Sequence, residues 1–273
     1  MPAAFAHDLY GRRVYRKLDP EMQKLIRKER NCYFLGLHGP DVLFFYKAWG
    51  KNPVNQKGCR LHAEPAAVLF AHGLEEFRRA NGWEKDAICA YLLGVACHFS
   101  LDNALHGYIN AKAASTKLSH ADIETELDRR LISREHMDPL KTNVTCHLKN
   151  TMRTRMAASR VLGEKPNVIS KCIVSFKLIN RLFVNSGEFT KRMVRSAMRF
   201  SGSYGEVQGM IMRRTPVAGC GEITDYLERR FFKEIPEGAE LLEEVWKYLW
   251  YRGPVPERFS GNFNGESGKE AAA

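Results

Sequence analysis

An unbroken apolar run from Ala87 to Cys97 leads directly into His98, and Asp102 and His106 follow at four-residue intervals. Eleven residues fall well short of the roughly 20 that a membrane-spanning helix needs. The run therefore predicts a helix inside a protein core, and the sequence predicts no transmembrane segment. Positions four apart on a helix drift by only about 40° per step, which sets His98, Asp102 and His106 along one face. Burying a carboxylate and two imidazoles at the end of so apolar a helix is costly unless something neutralises the charge and accepts the lone pairs. A divalent metal does both.

His120 and Glu124 repeat the four-residue spacing on a second predicted helix. Two facing helices that each offer histidine and carboxylate could hold more than one metal. A single buried histidine ordinarily bonds to a backbone carbonyl, but five ligand-type residues at this spacing favour a metal site. Zinc suits histidine and carboxylate ligands without cysteine, while manganese and iron accept the same residue types.

Apolar spacing with a period near 3.6 recurs through the chain and hairpin dipeptides between alternating segments do not, so the fold is expected to be all-α. Asp19-Pro20 starts one helix. Further helices are expected near 62–80, 83–108, from a Ser119/Asp122 capping box to about Arg134, and over 143–162, 167–184, 188–200, 221–233 and 238–251. No Gly-, Ser- or Pro-rich linker separates these segments, which predicts a single multi-helix domain over 1–252. The Gly-, Asn- and Pro-rich stretch 253–273 holds little apolar surface and is expected to be a flexible tail.

The formal charge of +11 is concentrated. Residues 141–214 hold 15 Lys and Arg against Glu164, Glu188 and Glu206. Such a basic helical part could contact an anionic membrane surface or nucleic acid, or could be a solvated face. The seven scattered cysteines include no Cys-x-x-Cys pair, which argues for reduced thiols and against a thiolate zinc site. Without a basic stretch followed by an apolar one, the start of the chain carries no secretory signal, and a cytoplasmic location is expected.

Three blocks taken in order resemble the bacterial zinc-dependent phospholipase C proteins and their uncharacterised cytoplasmic relatives. His7-Asp8-Leu9-Tyr10-Gly11 is similar to the opening block, and Leu35 to Tyr46, with Gly39-Pro40-Asp41, to the Gly-Pro-Asp block. Cys97 to Ile109 with Ser119 to Asp128 resembles the His-x-x-x-Asp and His-x-x-x-Glu core. The resemblance implies an all-helical fold with a trinuclear zinc site at the bottom of a cleft. It implies that Asp41, His62, His98 and Asp102 hold one metal, His106, His120 and Glu124 a second, and His7 with the shared carboxylate of Asp102 a third. His62 is preferred to His72 because Gly58 to Glu64 looks like the family's Gly-x-x-x-His block. Secreted members complete the third site with a mature amino-terminal tryptophan, which this chain lacks; the Pro2 amine left by removal of Met1 is a conceivable substitute.

The chemistry implied is hydrolysis of phosphodiesters by metal-activated water, with Asp41 orienting or deprotonating that water. His38 is read as a partner of Asp41 or a loop cap, and His136 and His147 as structural. Phe44, Phe45 and Tyr46 could line a pocket or belong to the core. Three functions follow: a phospholipase C-type enzyme acting on phospholipid, a single-strand nucleic-acid phosphodiesterase like the related fungal nucleases, and a non-catalytic cytoplasmic binding module stabilised by metal.

Overall fold

The computed structural model describes residues 3–48, 50–184 and 208–266. Its α-helices are α1 (Ala4–Tyr15), α2 (Pro20–Lys28), α3 (Arg30–Gly36), α4 (Pro53–Ala63), α5 (Ala66–Arg79), α6 (Gly82–Ser115), α7 (His120–Arg134), α8 (Met152–Leu162), α9 (Pro166–Val184) and α10 (Gly221–Trp250). Short 3-10 segments cover Gly39–Phe45, Gln208–Met210 and Glu257–Ser260, and no strand occurs among the described residues.

The 34-residue α6 is the axis of the fold, about 50 Å long at 1.5 Å per residue. Every residue from Ala87 to Asp102 is buried, as a helix apolar on all sides must be, in a protein core or in a membrane. By length and composition α6 could cross a membrane, but 89% of its apolar window is covered by the rest of the fold. Helices α1, α3, α5, α8 and α10 pack around it. Gly36 of α3 crosses Gly94 of α6 at backbone contact: a Cβ on Gly36 would lie 2.2 Å from the Tyr91 carbonyl oxygen, and one on Gly94 2.3 Å from that of Tyr33. This approach lays the next residues, Leu37 to Asp41, against the His98 face of α6.

Helix α1 is capped from a distance. Asp128 of α7 accepts hydrogen bonds from the backbone N–H groups of Phe5 (3.1 Å) and Ala6 (2.8 Å), two of the donors a helix start leaves free. The bonds pin the start of α1, and with it His7, to the helix carrying His120 and Glu124. Asp128→Ala would strand two buried N–H groups, at about 1–3 kcal/mol each. It is therefore expected to lower the melting temperature by several degrees while leaving the helical circular dichroism unchanged. An unaltered melting curve would show that this cap is dispensable.

Several sequence expectations are corrected. Two helices, broken at Pro65, replace the single one expected over 62–80. The helix expected over 143–162 begins only at Met152, after a stretch of turns. Those expected over 221–233 and 238–251 are one continuous α10 through Pro236. Proline removes one hydrogen bond and crowds the preceding turn, but Leu227, Phe231, Ile235, Leu241 and Leu242 are buried on both sides of it, and their packing holds the helix together. The helix expected over 188–200 lies outside the described residues, as do residues 267–273.

The flexible-tail expectation fails for residues 253–266, where Phe259, Asn262 and Phe263 are fully buried. Phe259 stacks on Phe70 at 3.9 Å, Gly261 accepts a hydrogen bond from Ala66 N–H, and the Asn262 side chain donates to the Ala63 carbonyl. Part of the described basic segment is engaged in ion pairs. Arg153 pairs with Glu29, Arg160 with Glu76 and Glu84, and Arg213 with Asp122. These three arginines do not form a free phosphate-gripping face.

Candidate metal centre

The apolar run of α6 delivers His98 fully buried, with Asp102 and His106 one and two turns further on. Around them the fold assembles His7 from α1, Asp41 from the 3-10 segment, His62 from α4, and His120 and Glu124 from the first turns of α7. All eight sequence-predicted ligand residues converge. They form three groups that could each hold a metal ion: Asp41, His62 and His98; His7, His98 and Asp102; and His106, His120 and Glu124. His98 belongs to two of these, and Asp102 links them to the third. Its Oδ1 lies 3.2 Å from His7 Nε2 and 3.6 Å from His106 Nε2, and its Oδ2 lies 3.1 Å from His98 Nε2.

Each imidazole's hydrogen bonding decides which nitrogen faces inward. His98 Nδ1 meets the Leu37 carbonyl at 3.2 Å, His62 Nδ1 the Gly58 carbonyl at 2.7 Å, and His106 Nδ1 the Phe263 carbonyl at 2.7 Å. His120 Nδ1 meets Asn110 Oδ1 at 2.9 Å. Those oxygens only accept, so each Nδ1 carries a proton, and in the neutral ring each Nε2 offers a lone pair. The lone pairs point at carboxylate oxygens: His62 Nε2 lies 2.8 Å from Asp41 Oδ1, and His106 and His120 Nε2 lie 3.2 and 3.3 Å from Glu124 Oε1. Among the described residues His98 Nε2 has no hydrogen-bond partner, although Asp102 and Asp41 lie 3.1 and 3.8 Å away.

Facing acceptors repel unless a proton or a cation stands between them. Separations of 2.8–3.8 Å bracket the roughly 3.3 Å expected between neighbouring ligand atoms around a tetrahedral ion with bonds of 2.0–2.1 Å. The donor set, nitrogen and carboxylate oxygen with the second imidazole nitrogen fixed by an oxygen, fits zinc. His7 is the exception, since its Nδ1 is buried without a hydrogen-bond partner among the described residues. Pro2, the proposed substitute for the amino-terminal ligand, lies outside the described residues.

Electrostatics tell the same story for the metal-free protein. Burial alone would push Asp102 up, but the imidazoles of His106, His98 and His7 hold it well below the usual carboxylate range. Against the same burial penalty, His98 and then His62 hold Asp41 at about 2. Burial would lower His106, yet Asp102 and Glu124 raise it to about 9. In His7 burial and His98 outweigh the attraction of Asp102, and its value falls.

Other residues are placed as follows. Gly39, at φ +38°, passes so near His98 that a Cβ would lie 2.6 Å from Cδ2 of the ring. Any larger residue here would displace the imidazole. Phe44 packs on His62 at 5.0 Å, whereas Phe45 stacks on Phe176 at 4.3 Å, so the aromatic run divides between site and core. His72 bonds to the Arg160 carbonyl on the surface, away from Asp41. The His38 side chain makes no cap hydrogen bond to the 3-10 segment it precedes, and it meets Asp41 only through the backbone, its carbonyl accepting from Asp41 N–H at 3.0 Å. Its Nε2 lies 2.8 Å from Nε2 of His147, and burial pushes both rings down, His147 to about 4.

The residues that sequence reasoning missed are those that orient the ligands: Phe263, whose carbonyl fixes His106 while its ring packs on His62 and His98, and Asn110. The spacing of Phe259 and Phe263 was the available signal for the first.

An all-α fold closed over three adjoining histidine–carboxylate groups that could each hold a metal ion defines the class. Within it the chain belongs to the zinc dependent phospholipase C family, whose model matches residues 6–168, a span that contains all eight site residues. Comparison with curated proteins and with solved structures returns no match.

Proposed function

We propose that the protein is a zinc-dependent hydrolase of phosphodiester bonds, of phospholipase C type, working with two or three zinc ions. The observation that carries this reading is the set of inward Nε2 lone pairs facing ionised carboxylates in three adjoining groups. Asp41, His62 and His98, with Asp102 as the fourth ligand, would hold the first ion. His106, His120 and Glu124 would hold the second, and His7 with Asp102 the third. When bound, zinc supplies Lewis-acid polarisation of the phosphoryl oxygens and a nucleophilic water at neutral pH.

The chain's own residues do the rest. Asp41 is ionised at neutral pH, and a carboxylate held at about 2 is better suited to orient a water molecule than to keep its proton. Partly exposed His120 opens the site at one end, while fully buried His98 closes the other. A phosphodiester would therefore enter from the α7 side. Phospholipid is the substrate class the family suggests.

Elemental analysis of protein purified without added zinc, paired with a screen of a chromogenic phosphodiester, phosphatidylcholine and single-stranded DNA, tests the proposal. Two or more zinc equivalents and turnover of phosphatidylcholine are expected. Fewer than one equivalent of metal would overturn the metal site. A full metal complement with no turnover of any of the three would favour the binding-module function instead.

A further inference from the structure

A second candidate site lies on the α1–α2 side of the molecule and shares no residue with the three metal-type groups. A cavity of ≈ 550 Å³ opens between α1, α2 and the start of α3, within the range of small-molecule pockets. Four arginines line it: Arg12 from α1, Arg16 at the C-cap just past it, Arg27 from α2 and Arg30 from α3. No carboxylate is among its lining residues. Tyr33 and Ile26 form a buried floor, and half-buried Phe34 and Tyr15 form an aromatic wall.

Two of the arginines are already positioned. Arg12 Nε donates to Asp8 Oδ1 at 2.9 Å, and its guanidinium stands 4.6 Å over the Phe34 ring. Arg30 approaches the same ring at 5.9 Å. Arg16, Arg27 and Arg30 form no ion pair among the described residues. Elsewhere Arg129, Arg153, Arg160, Arg213 and Arg258 each have a carboxylate partner, whereas Arg60, Arg78 and Arg229 have no ion pair among the described residues, so what sets the cleft arginines apart is their gathering around one cavity. Gathering four like charges around one concavity is unfavourable by itself, and an anion that accepts hydrogen bonds from them removes the repulsion. Guanidinium groups match phosphate oxygens in pairs, and three unpaired forks exceed what one phosphate needs.

We propose that this cleft binds a small phosphorylated ligand carrying at least two phosphate groups and a flat ring, of nucleoside diphosphate size. The phosphates engage Arg16, Arg27 and Arg30, with Arg12 at the inner edge, and the ring lies against the aromatic wall. A concave, aromatic-walled cavity fits such a molecule better than it fits a flat lipid surface.

Calorimetric titration of the zinc-loaded full chain with ADP and with inorganic pyrophosphate tests the site. The variants are Arg27→Ala/Arg30→Ala, Arg16→Glu, and Arg229→Ala as a control on exposed α10 surface. ADP is expected to bind one to one and pyrophosphate more weakly. Affinity for ADP should fall at least ten-fold in Arg27→Ala/Arg30→Ala and in Arg16→Glu, and stay within two-fold in Arg229→Ala, with metal content unchanged in all three. Equal ADP affinity in the wild type and the cleft variants would place the anion at the metal centre and overturn the proposal. So would no ADP binding, including the case in which the cleft variants lose only adhesion to phosphatidylcholine vesicles containing phosphatidic acid. None of these outcomes depends on the hydrolase proposal, since binding rather than turnover is read.

Discussion

Asp102→Ala is expected to abolish phosphodiester turnover, by roughly 10³-fold or more, and to lower the bound metal by at least one ion per chain. The expectation exceeds the 10²–10³-fold typical of removing one preorganised stabilising group because this carboxylate serves several partners at once. Its two oxygens lie 3.1–3.6 Å from the Nε2 atoms of His98, His7 and His106. Without it, His7 keeps no carboxylate within ion-pair distance among the described residues, and its group retains only imidazole ligands. The alanine also leaves a gap where a side chain is buried, so a conservative variant is the necessary companion. Asp102→Asn preserves shape but donates a hydrogen from one of the two atoms that must accept, and it too should lose metal. Turnover of a chromogenic phosphodiester and elemental analysis of both variants check this. Full turnover with full metal content in either would remove Asp102 from the site.

The legible part of this centre was the part encoded by spacing within one helix. His98, Asp102 and His106 share a face because a helix repeats nearly every four residues, and the same holds for His120 and Glu124. The Ser119/Asp122 capping box is formed as expected. Asp41, His62 and His7 come from separate elements, and only an ordered set of family-like blocks brought them into consideration. What stayed hidden has no residue-type signature. The carbonyls of Leu37, Gly58 and Phe263 that set the imidazole tautomers belong to the backbone, and any sequence offers a carbonyl at every position.

The carboxyl-terminal segment was misread for a related reason. Its composition is that of a tail, yet two phenylalanines four residues apart and an asparagine bonded to α4 are enough to fasten it over the site. Similarly, Pro236 and Gly238 signal a helix break locally, and the long-range packing of α10 overrides them.

Chelation is expected to produce the second large effect, a fall in melting temperature of about 10 °C or more that zinc reverses. A ligand present at 1,000 times its dissociation constant stabilises a fold by about 4 kcal/mol, and in a domain of this size each kcal/mol moves the midpoint by about 2–4 °C. The size of the fall should depend on pH. With metal removed, protons must stand between the facing imidazoles and carboxylates. Burial lowers His106 and His98, but Asp102 with Glu124 and Asp41 outweigh it, raising His106 from 6.5 to about 9 and His98 in the same direction. A histidine whose value is raised by folding contributes stability that is complete below about pH 6.5 and lost as pH climbs through 9. His7, which is lowered, acts oppositely and only below about 6.5. Between pH 7 and 9 the chelated protein should therefore melt at progressively lower temperature, while the zinc-loaded protein holds its midpoint. Zinc uptake at pH 7.5 should release protons into a weakly buffered solution, because the cation displaces them from the imidazoles. Melting curves of both forms across that range, with and without chelator, check the exchange; identical curves would mean that no metal occupies the cluster.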